Sequence, residues 1–131
     1  MIKYLLICFC LLLGFTRCTS DVEKNMTELA RTAEEINEKC PAMLDSDTRL
    51  DGIEVKEPNT LVYKFTLTKL LVENVDTVSF YRMLWPGIIS DIKVSLEMKK
   101  LREANTNIEY YYQDKNNKPI YTFHIGPAQY N

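Results

Sequence analysis

The amino-acid sequence predicts an α+β domain in which a four-stranded antiparallel sheet carries helices packed on one face. Three observations lead to this prediction. Apolar residues recur at helical spacing over about 22–39 and again over 77–103. Apolar and polar residues alternate over 60–68 and over 108–125, as in half-buried strands. The elements therefore follow the order helix, hairpin, helix, hairpin, which is typical of an α+β domain.

The chain opens with an apolar leader. A short basic start that contains Lys3 precedes the apolar run Tyr4–Phe15. A membrane-spanning helix needs about 20 apolar residues, so this shorter run is typical of the core of a signal peptide. We therefore predict that residues 1–20 direct export and that residues 21–131 fold as a single domain.

Two cleavage sites compete within the leader. Cys18 and Ser20 supply the small residues that ordinary cleavage before Asp21 requires. Cleavage before Cys18 would instead leave that cysteine for lipidation, although Arg17 departs from the small residue that usually precedes it. A lipid on Cys18 would anchor the domain to a membrane. We accordingly expect an extracytoplasmic protein: a periplasmic or membrane-anchored lipoprotein, or alternatively a secreted protein.

Composition limits the function classes. The chain has 16 Lys and Arg against 18 Asp and Glu, and 14 of the basic residues remain after residue 20. An acidic domain of this kind lacks the positive surface that binds nucleic acid or an anionic membrane. The single His excludes zinc sites that need two imidazoles. Cys8 and Cys10 leave with the leader and Cys18 is lipidated or removed. Cys40 is then the last thiol, and no internal disulfide is expected.

The first helix is predicted from about residue 22 to residue 39. Ser20 and Glu23 have the spacing of a capping box at its start, and Pro41 follows its end. Its apolar face consists of Val22, Met26, Leu29, Ala30, Ala33 and Ile36.

The first hairpin pairs a strand at 53–57 with a strand at 60–68. Pro58 and Asn59 between them indicate a turn. Leu61, Tyr63, Phe65 and Leu67 fall on one face of the second strand.

The second helical region extends over 77–103 in two or three segments. Asp76 or Thr77 can cap its start, and Pro86-Gly87 predicts a kink or a break. Ser95 is a candidate cap for a last short piece.

The C-terminal hairpin begins at Ile108 and its second strand ends at Ile125, before Gly126-Pro127. The turn at 114–117 contains Asn residues that can adopt a positive φ.

Two blocks of this sequence resemble a known group of proteins. The segment Cys40–Leu67 contains a Pro-x-Met-x-Asp-x-x-Thr-Arg-Leu-Asp run, a turn and an aromatic strand. The C-terminal block IEYYYQDKNNKPIYTFHIGPAQYN has a Tyr-rich strand, an Asp-Lys-Asn turn and an apolar strand. Together, over about half of the mature chain, they resemble a widespread group of small exported bacterial proteins. The motif positions here are Cys40, Pro41, Met43, Asp45, Thr48, Arg49, Leu50 and Asp51.

The resemblance implies an exported or lipid-anchored domain with no assigned activity. Many members of this group carry a further Cys just after the second helix. The corresponding stretch of this chain reads DIKVSLEMKK, so a bridge to Cys40 is not expected.

The acidic cluster Asp45, Asp47 and Asp51 is the first candidate site. Its spacing does not match a calcium loop, because Arg49 interrupts it and the required Gly and Glu are misplaced. We expect local turn hydrogen bonds, with Arg49 pairing a carboxylate.

The remaining candidates are a thiol, an imidazole and a set of phenols. Cys40 follows a helix C-terminus, which opposes thiolate formation, so a packed Cys is expected. Pairing of Cys40 between two chains remains open. His124 falls on the polar side of the last strand. The pattern favours core or cross-strand packing of the tyrosines. The alternative is an aromatic binding surface on which Tyr111 has Tyr121, Tyr130 or Tyr63 as its neighbour.

The sequence thus predicts no catalytic residue, no metal site and no cofactor. It favours a non-enzymatic binding or support protein of the bacterial cell envelope with an unidentified protein partner. Contact with a membrane is expected only through Cys18. The alternative is an inhibitor or immunity-type protein that blocks a partner enzyme with Asp45–Asp51 as an acidic plug. A hydrolase would need an acidic pair assembled from distant segments.

Overall fold

The computed structural model describes residues 17–131. The predicted signal peptide lies outside the described residues except for residues 17–20, which form the first turn of a helix. The elements in chain order are α1 (Arg17–Asn37), β1 (Ala42–Met43), β2 (Thr48–Lys56), β3 (Thr60–Leu67), a 3-10 turn (Val72–Asn74), α2 (Thr77–Val94), α3 (Lys99–Glu103), β4 (Asn107–Asp114), β5 (Pro119–Ile125) and α4 (Pro127–Tyr130).

The strands form one sheet in the order β1-β2-β3-β4-β5. β2 pairs antiparallel with β3 and β4 pairs antiparallel with β5, which confirms both predicted hairpins. β3 and β4 pair in parallel, from Thr60 beside Asn107 to Leu67 beside Asp114. The α+β class is confirmed. The prediction of four antiparallel strands is wrong, because the described sheet has five strands and a parallel central pair.

Each difference has a physical cause. The connection from β3 to β4 contains α2 and α3 and returns the chain to the end of the sheet where β3 began, so β4 runs parallel to β3. β1 has only two residues, which is too short to show an alternating pattern. It pairs with Arg49 and Leu50 on the outer side of β2.

The helices pack on one face of the sheet, as predicted. The most deeply buried apolar residues come from both layers and include Leu61, Ile92, Ile108, Phe123 and Ile125. Side chains of a strand alternate between the two faces, so Lys64, Tyr111 and His124 lie on the face without helices. We call this second face the open face.

The boundaries of α1 differ from the prediction at both ends. The helix already includes Arg17, the first described residue, so Ser20 lies inside it and is not its N-cap. It ends at Asn37, two residues before the predicted end. The following turn is tighter than an α-helix, because the N–H of Cys40 donates to the carbonyl oxygen of Asn37 at 3.1 Å.

α2 confirms the predicted cap, and of the kink or break predicted at Pro86-Gly87 the break does not occur. The carboxylate of Asp76 accepts hydrogen bonds from the N–H groups of Val78 at 3.3 Å and Ser79 at 3.2 Å. Pro86 lies inside the helix, which continues through it to Val94. Ser95 was predicted to start the next piece, but it is the C-cap of α2; the N-cap of α3 is Met98.

The side-chain amide of Asn37 closes part of the outer edge of β2. Its Nδ2 donates to the carbonyl oxygen of Ile53 at 2.8 Å, and its Oδ1 accepts from the N–H of Ile53 at 2.7 Å. The amide thus pairs as a neighbouring strand would, beyond the reach of β1. Gly52 makes room for it, because a Cβ there would lie 3.1 Å from Asn37 Oδ1. Since an unpaired edge can pair with another chain, α1 protects β2 from such association.

The substitution Asn37→Ala is expected to lower the free energy of unfolding by about 1–3 kcal/mol, because both backbone groups of Ile53 lose their partners. Urea denaturation of the purified domain measures this. Asn116→Ala is the control, since this exposed turn amide makes no side-chain hydrogen bond within the described chain. It should change the stability by less than about 0.5 kcal/mol. Equal losses in the two variants would contradict the role of Asn37.

Asp114 joins two loops from a fully buried position at the end of β4. Its Oδ1 accepts from the N–H groups of Asn116 at 2.8 Å and Lys118 at 2.9 Å, and its Oδ2 accepts from the N–H of Val72 at 3.0 Å. Burial by itself would raise the pKa of Asp114, but these N–H donors and the charge of Lys118 hold it below its usual value. The carboxylate therefore fixes the segment before α2 against the turn between β4 and β5.

The substitution Asp114→Asn is expected to lower the melting temperature at neutral pH. The pKa of Asp114 is lower in the folded protein than in the unfolded chain. Its ionised form therefore stabilises the fold above the unfolded pKa of about 4, and this contribution is lost as the pH falls through the folded pKa. Thermal unfolding followed from about pH 2 to 7 should show a weaker dependence on pH in the variant. An unchanged pH profile would refute this role of the carboxylate.

Candidate functional site

An apolar groove lies between α2 and the covered face of the sheet. We call it the α2 groove; its volume is about 670 Å³. Phe65 and Leu67 of β3 and Tyr110 and Tyr112 of β4 form its floor. Its walls are Phe80, Met83, Leu84, Gly87, Ile88 and Asp91 on the α2 side, with Leu44, Asp45, Thr48 and Leu70 from the adjoining loops.

The aromatic rings of the floor hold one another in place. The ring of Phe65 lies 4.9 Å from that of Tyr112 and 5.3 Å from that of Tyr110, measured between ring centroids. Phe80 of α2 meets Tyr112 edge to face at 5.4 Å. Such contacts add to the stabilisation from apolar burial, so the floor is a packed surface whose shape is set before any ligand arrives.

Two phenol hydroxyls are the polar part of the floor. Tyr110 and Tyr112 are each 8% exposed, and neither hydroxyl forms a hydrogen bond with a described residue. Tyr63, in contrast, reaches the sulfur of Met98 at 3.8 Å. Every fully enclosed side-chain nitrogen or oxygen in residues 17–131 has a partner, so the two unpaired hydroxyls are not fully enclosed, and both residues line the groove.

The environment keeps these phenols protonated. Burial raises the pKa of Tyr112 to about 12, and the negative charge of Asp45 adds to the effect. Burial also raises the pKa of Tyr110, with smaller contributions from Tyr63, Asp91 and Tyr112. Both hydroxyls are therefore hydrogen-bond donors at neutral pH, and neither is a base.

The loop between β1 and β2 builds one wall of the groove. Asp45 Oδ1 accepts from the N–H groups of Asp47 and Thr48, both at 2.8 Å. These bonds lower the pKa of Asp45. The N–H of Leu44 donates to the carbonyl oxygen of Thr48 at 2.9 Å, which closes the loop. The turn fixes Leu44 with 57% of its surface exposed to solvent.

The acidic cluster predicted from the sequence does not act as one group. Asp47 pairs with Lys69 at 2.5 Å, and Asp51 pairs with Arg49 at 2.6 Å. Asp51 also accepts from the hydroxyl of Thr66, towards the open face. The expected turn bonds and the Arg49 pair are therefore present. Within residues 17–131 no three His, Cys, Asp or Glu side chains come together as a metal ion would need.

The other residues of the motif have structural positions. Leu50 is buried in the core, whereas Met43 of β1 is exposed. Cys40, followed by Pro41, is half-buried against the core. Burial raises the pKa of Cys40, and the charge of Asp51 adds to this, so the thiol is disfavoured as a nucleophile.

Tyr111 and Tyr121 do not form the single surface that the sequence suggested. Tyr111 lies on the open face, near His124 and Glu109. Tyr121 lies on the covered face, where its ring is 4.8 Å from Phe123. The register explains this, because Tyr121 pairs with Tyr112 and not with Tyr111. His124 is exposed, and its Nδ1 lies 3.3 Å from Glu109 Oε1.

Sequence reasoning missed Met83, Gly87 and Asp91 of the groove wall. The apolar spacing of α2 was visible, but Gly87 was interpreted with Pro86 as an interruption. Because α2 continues, these three residues follow one another along the groove side of the helix at intervals of about one turn. That spacing is the signal that could have identified them.

Solved structures with the same fold come from bacterial proteins. A presumed secreted protein of Pseudomonas aeruginosa is 15% identical with a TM-score of 0.72, over 85% of this chain and 96% of that one. The pilotin EpsS of the Vibrio vulnificus type 2 secretion system is 8% identical with a TM-score of 0.71, over 86% and 97%. The type II secretion system pilotin AspS of Vibrio cholerae is 5% identical with a TM-score of 0.66, over 85% and 96%. At these identities the likeness shows the fold alone.

Sequence comparison gives the family. Curated proteins yield no significant match to this chain. None of the helices in residues 17–131 is both long and apolar enough to cross a membrane. Residues 23–122 match the family described as a domain of unknown function, DUF8479, and the chain belongs to that family.

Proposed function

We propose that the protein is an exported, non-enzymatic binding protein of the bacterial cell envelope that holds an apolar segment of a protein partner in the α2 groove. The observation that carries this proposal is the exposed apolar rim. Met83 on one wall is 72% exposed, and Leu44 lies exposed on the other. Burial of one such side chain contributes about 1.5–3 kcal/mol. A ligand that bridges the walls would therefore be bound mainly through apolar burial.

The groove is suited to binding more than to catalysis. Its phenols remain protonated, because their pKa values are raised. Asp45 has a lowered pKa and is tied to the turn, which makes it a poor general base near neutral pH. His124 and Cys40 lie outside the lining of the groove.

The fold relatives support a role at the envelope. The same architecture occurs in two pilotins of type II secretion systems and in a presumed secreted protein. An inhibitor with an acidic plug has less support, because Asp45, Asp47 and Asp51 are each engaged within their own fold.

We further propose that the chain is cut before Cys18 and lipidated there. This cut keeps the helical residues 18–20 of α1, whereas a cut before Asp21 removes them. The part of α1 that packs on the core begins with Met26 and Leu29, beyond both sites. The helix from Cys18 to Leu29 would then separate the lipid from the domain by about 16 Å, at 1.5 Å per residue.

Mass spectrometry of the mature protein is expected to find Cys18 as the first residue, carrying lipid, in the membrane fraction. Cys18→Ser should move the protein to the soluble extracytoplasmic fraction without changing its melting temperature. A first residue of Asp21 would refute lipidation but support export. Retention of Met1 would refute both.

A photo-crosslinking residue in place of Met83 is expected to give one discrete adduct in intact cells, because the partner covers this wall. The same residue in place of Leu96 is the matched control. Leu96 is 85% exposed, so it is equally accessible, but it lies outside the groove. Adding Leu44→Asp should remove the adduct formed at position 83, since a charge on the opposite wall opposes apolar burial. Equal adducts at both positions, or none at position 83, would overturn the proposed function.

A further inference from the structure

Gly87 lowers the stability of α2 but leaves space for a ligand beside it. A glycine inside a helix is less stable than alanine by about 1 kcal/mol. Nothing in the fold requires a glycine at this place: its φ is not positive, and an added Cβ would meet no atom within 4 Å. Gly87 is exposed on the wall of the α2 groove. It therefore leaves a notch where another main chain can approach α2 closely.

Asp91 is likewise unfavourable for α2 itself. It lies in the last turn of the helix, where the partial negative charge of the C-terminus opposes a carboxylate. Its side chain forms no ion pair or hydrogen bond with a described residue, and it faces the groove. Asp91 and Asp45 are the charged residues of the groove lining, and both are acidic.

The floor supplies an independent observation. The hydroxyls of Tyr110 and Tyr112 belong to residues that are more than nine-tenths buried and line the groove, and they have no partner in the described chain. As protonated donors they suit acceptors such as main-chain carbonyl oxygens. The notch, the acidic wall and the phenols are together complementary to one kind of ligand, a peptide main chain with a cationic side chain. An acidic lining disfavours a fatty acid or an anionic lipid headgroup, and it favours a cationic side chain.

We propose that the occupant of the α2 groove is a protein segment that combines apolar side chains with at least one Lys or Arg, and that its main chain crosses α2 at Gly87 with the cation beside Asp91. This rests on the proposed function and names the chemistry of its partner. The apolar side chains of the segment lie between Met83 and Leu44, and its carbonyl oxygens accept from the phenols of the floor.

Fluorescence anisotropy with two designed peptides tests this on the mature domain. One labelled amphipathic peptide contains Leu and Lys, and its counterpart contains Leu and Glu at the same positions. The Leu/Lys peptide should bind at least about ten-fold more tightly. The substitution Asp91→Asn should lower the affinity for the Leu/Lys peptide by about two- to five-fold, as expected for the loss of an exposed ion pair. Glu34→Gln, which removes an exposed charge on α1 outside the groove, should leave binding unchanged.

Gly87→Ala separates a binding role from a structural one. The new methyl group should raise the melting temperature by about 2–5 °C, because alanine favours the helix. The same methyl group should lower the affinity for the Leu/Lys peptide by about ten-fold, because it fills the notch. A gain in stability with unchanged binding would overturn the crossing at Gly87.

The remaining outcomes distinguish this inference from the proposed function. Equal binding of the two peptides, or equal losses of affinity in Asp91→Asn and Glu34→Gln, would overturn the proposal of a cationic segment. Either outcome would leave the proposed function of the groove, the binding of an apolar segment, unaffected. If neither peptide binds, the inference fails, and the adduct at position 83 decides separately whether the groove has a partner. Self-association that Met83→Asp abolishes would place a second copy of the chain in the groove and overturn the inference.

Discussion

The parallel pairing of β3 with β4 determines most of the architecture. Two antiparallel hairpins meet side by side at these strands, so the chain must cross from one end of the sheet to the other between them. That crossing requires a long connection, and α2 and α3 provide it on the covered face. α1 packs beside β2, and α2 packs beside β5. The central strands between the two helices remain less covered, and the α2 groove lies above them.

The groove persists because its floor is rigid. The strands place Phe65, Tyr110 and Tyr112 on one face at fixed register, and their rings are in mutual contact. Closing the groove would require α2 to move onto these rings and away from Phe123, which packs against Tyr81 and Trp85 of the same helix. Asp114 also holds the segment that leads into α2. A dense core on one side of α2 therefore keeps the groove open on the other.

The sequence predicted those features that depend on local periodicity. Alternation over the strands and the Asp76 cap were sufficient to locate both hairpins and the start of α2. It could not predict the parallel register, because alternation shows which face a residue occupies and not which strand lies beside it. β1 is too short to have a period, and an exposed proline such as Pro86 can lie inside a helix that tertiary packing stabilises. The groove was missed because Pro86-Gly87 was interpreted as a kink or a break of α2, whereas the helix continues through both residues.

The contrast between the groove and the rest of the chain is the strongest indication of where ligands bind. Elsewhere, polar groups of the described residues find hydrogen-bond partners within the fold. Asn37 pairs with both backbone groups of Ile53, and the buried Asp114 accepts from three N–H donors. In the groove, two residues that destabilise α2, Gly87 and Asp91, lie about one helix turn apart. They line the same groove as two phenols that lack hydrogen-bond partners. Natural sequences are locally consistent with their fold, and departures tend to occur where another requirement acts. A glycine that packing does not need and a carboxylate at the wrong helix end are such departures. Because both lie on the wall of one apolar groove, a single requirement, contact with another molecule, accounts for them together.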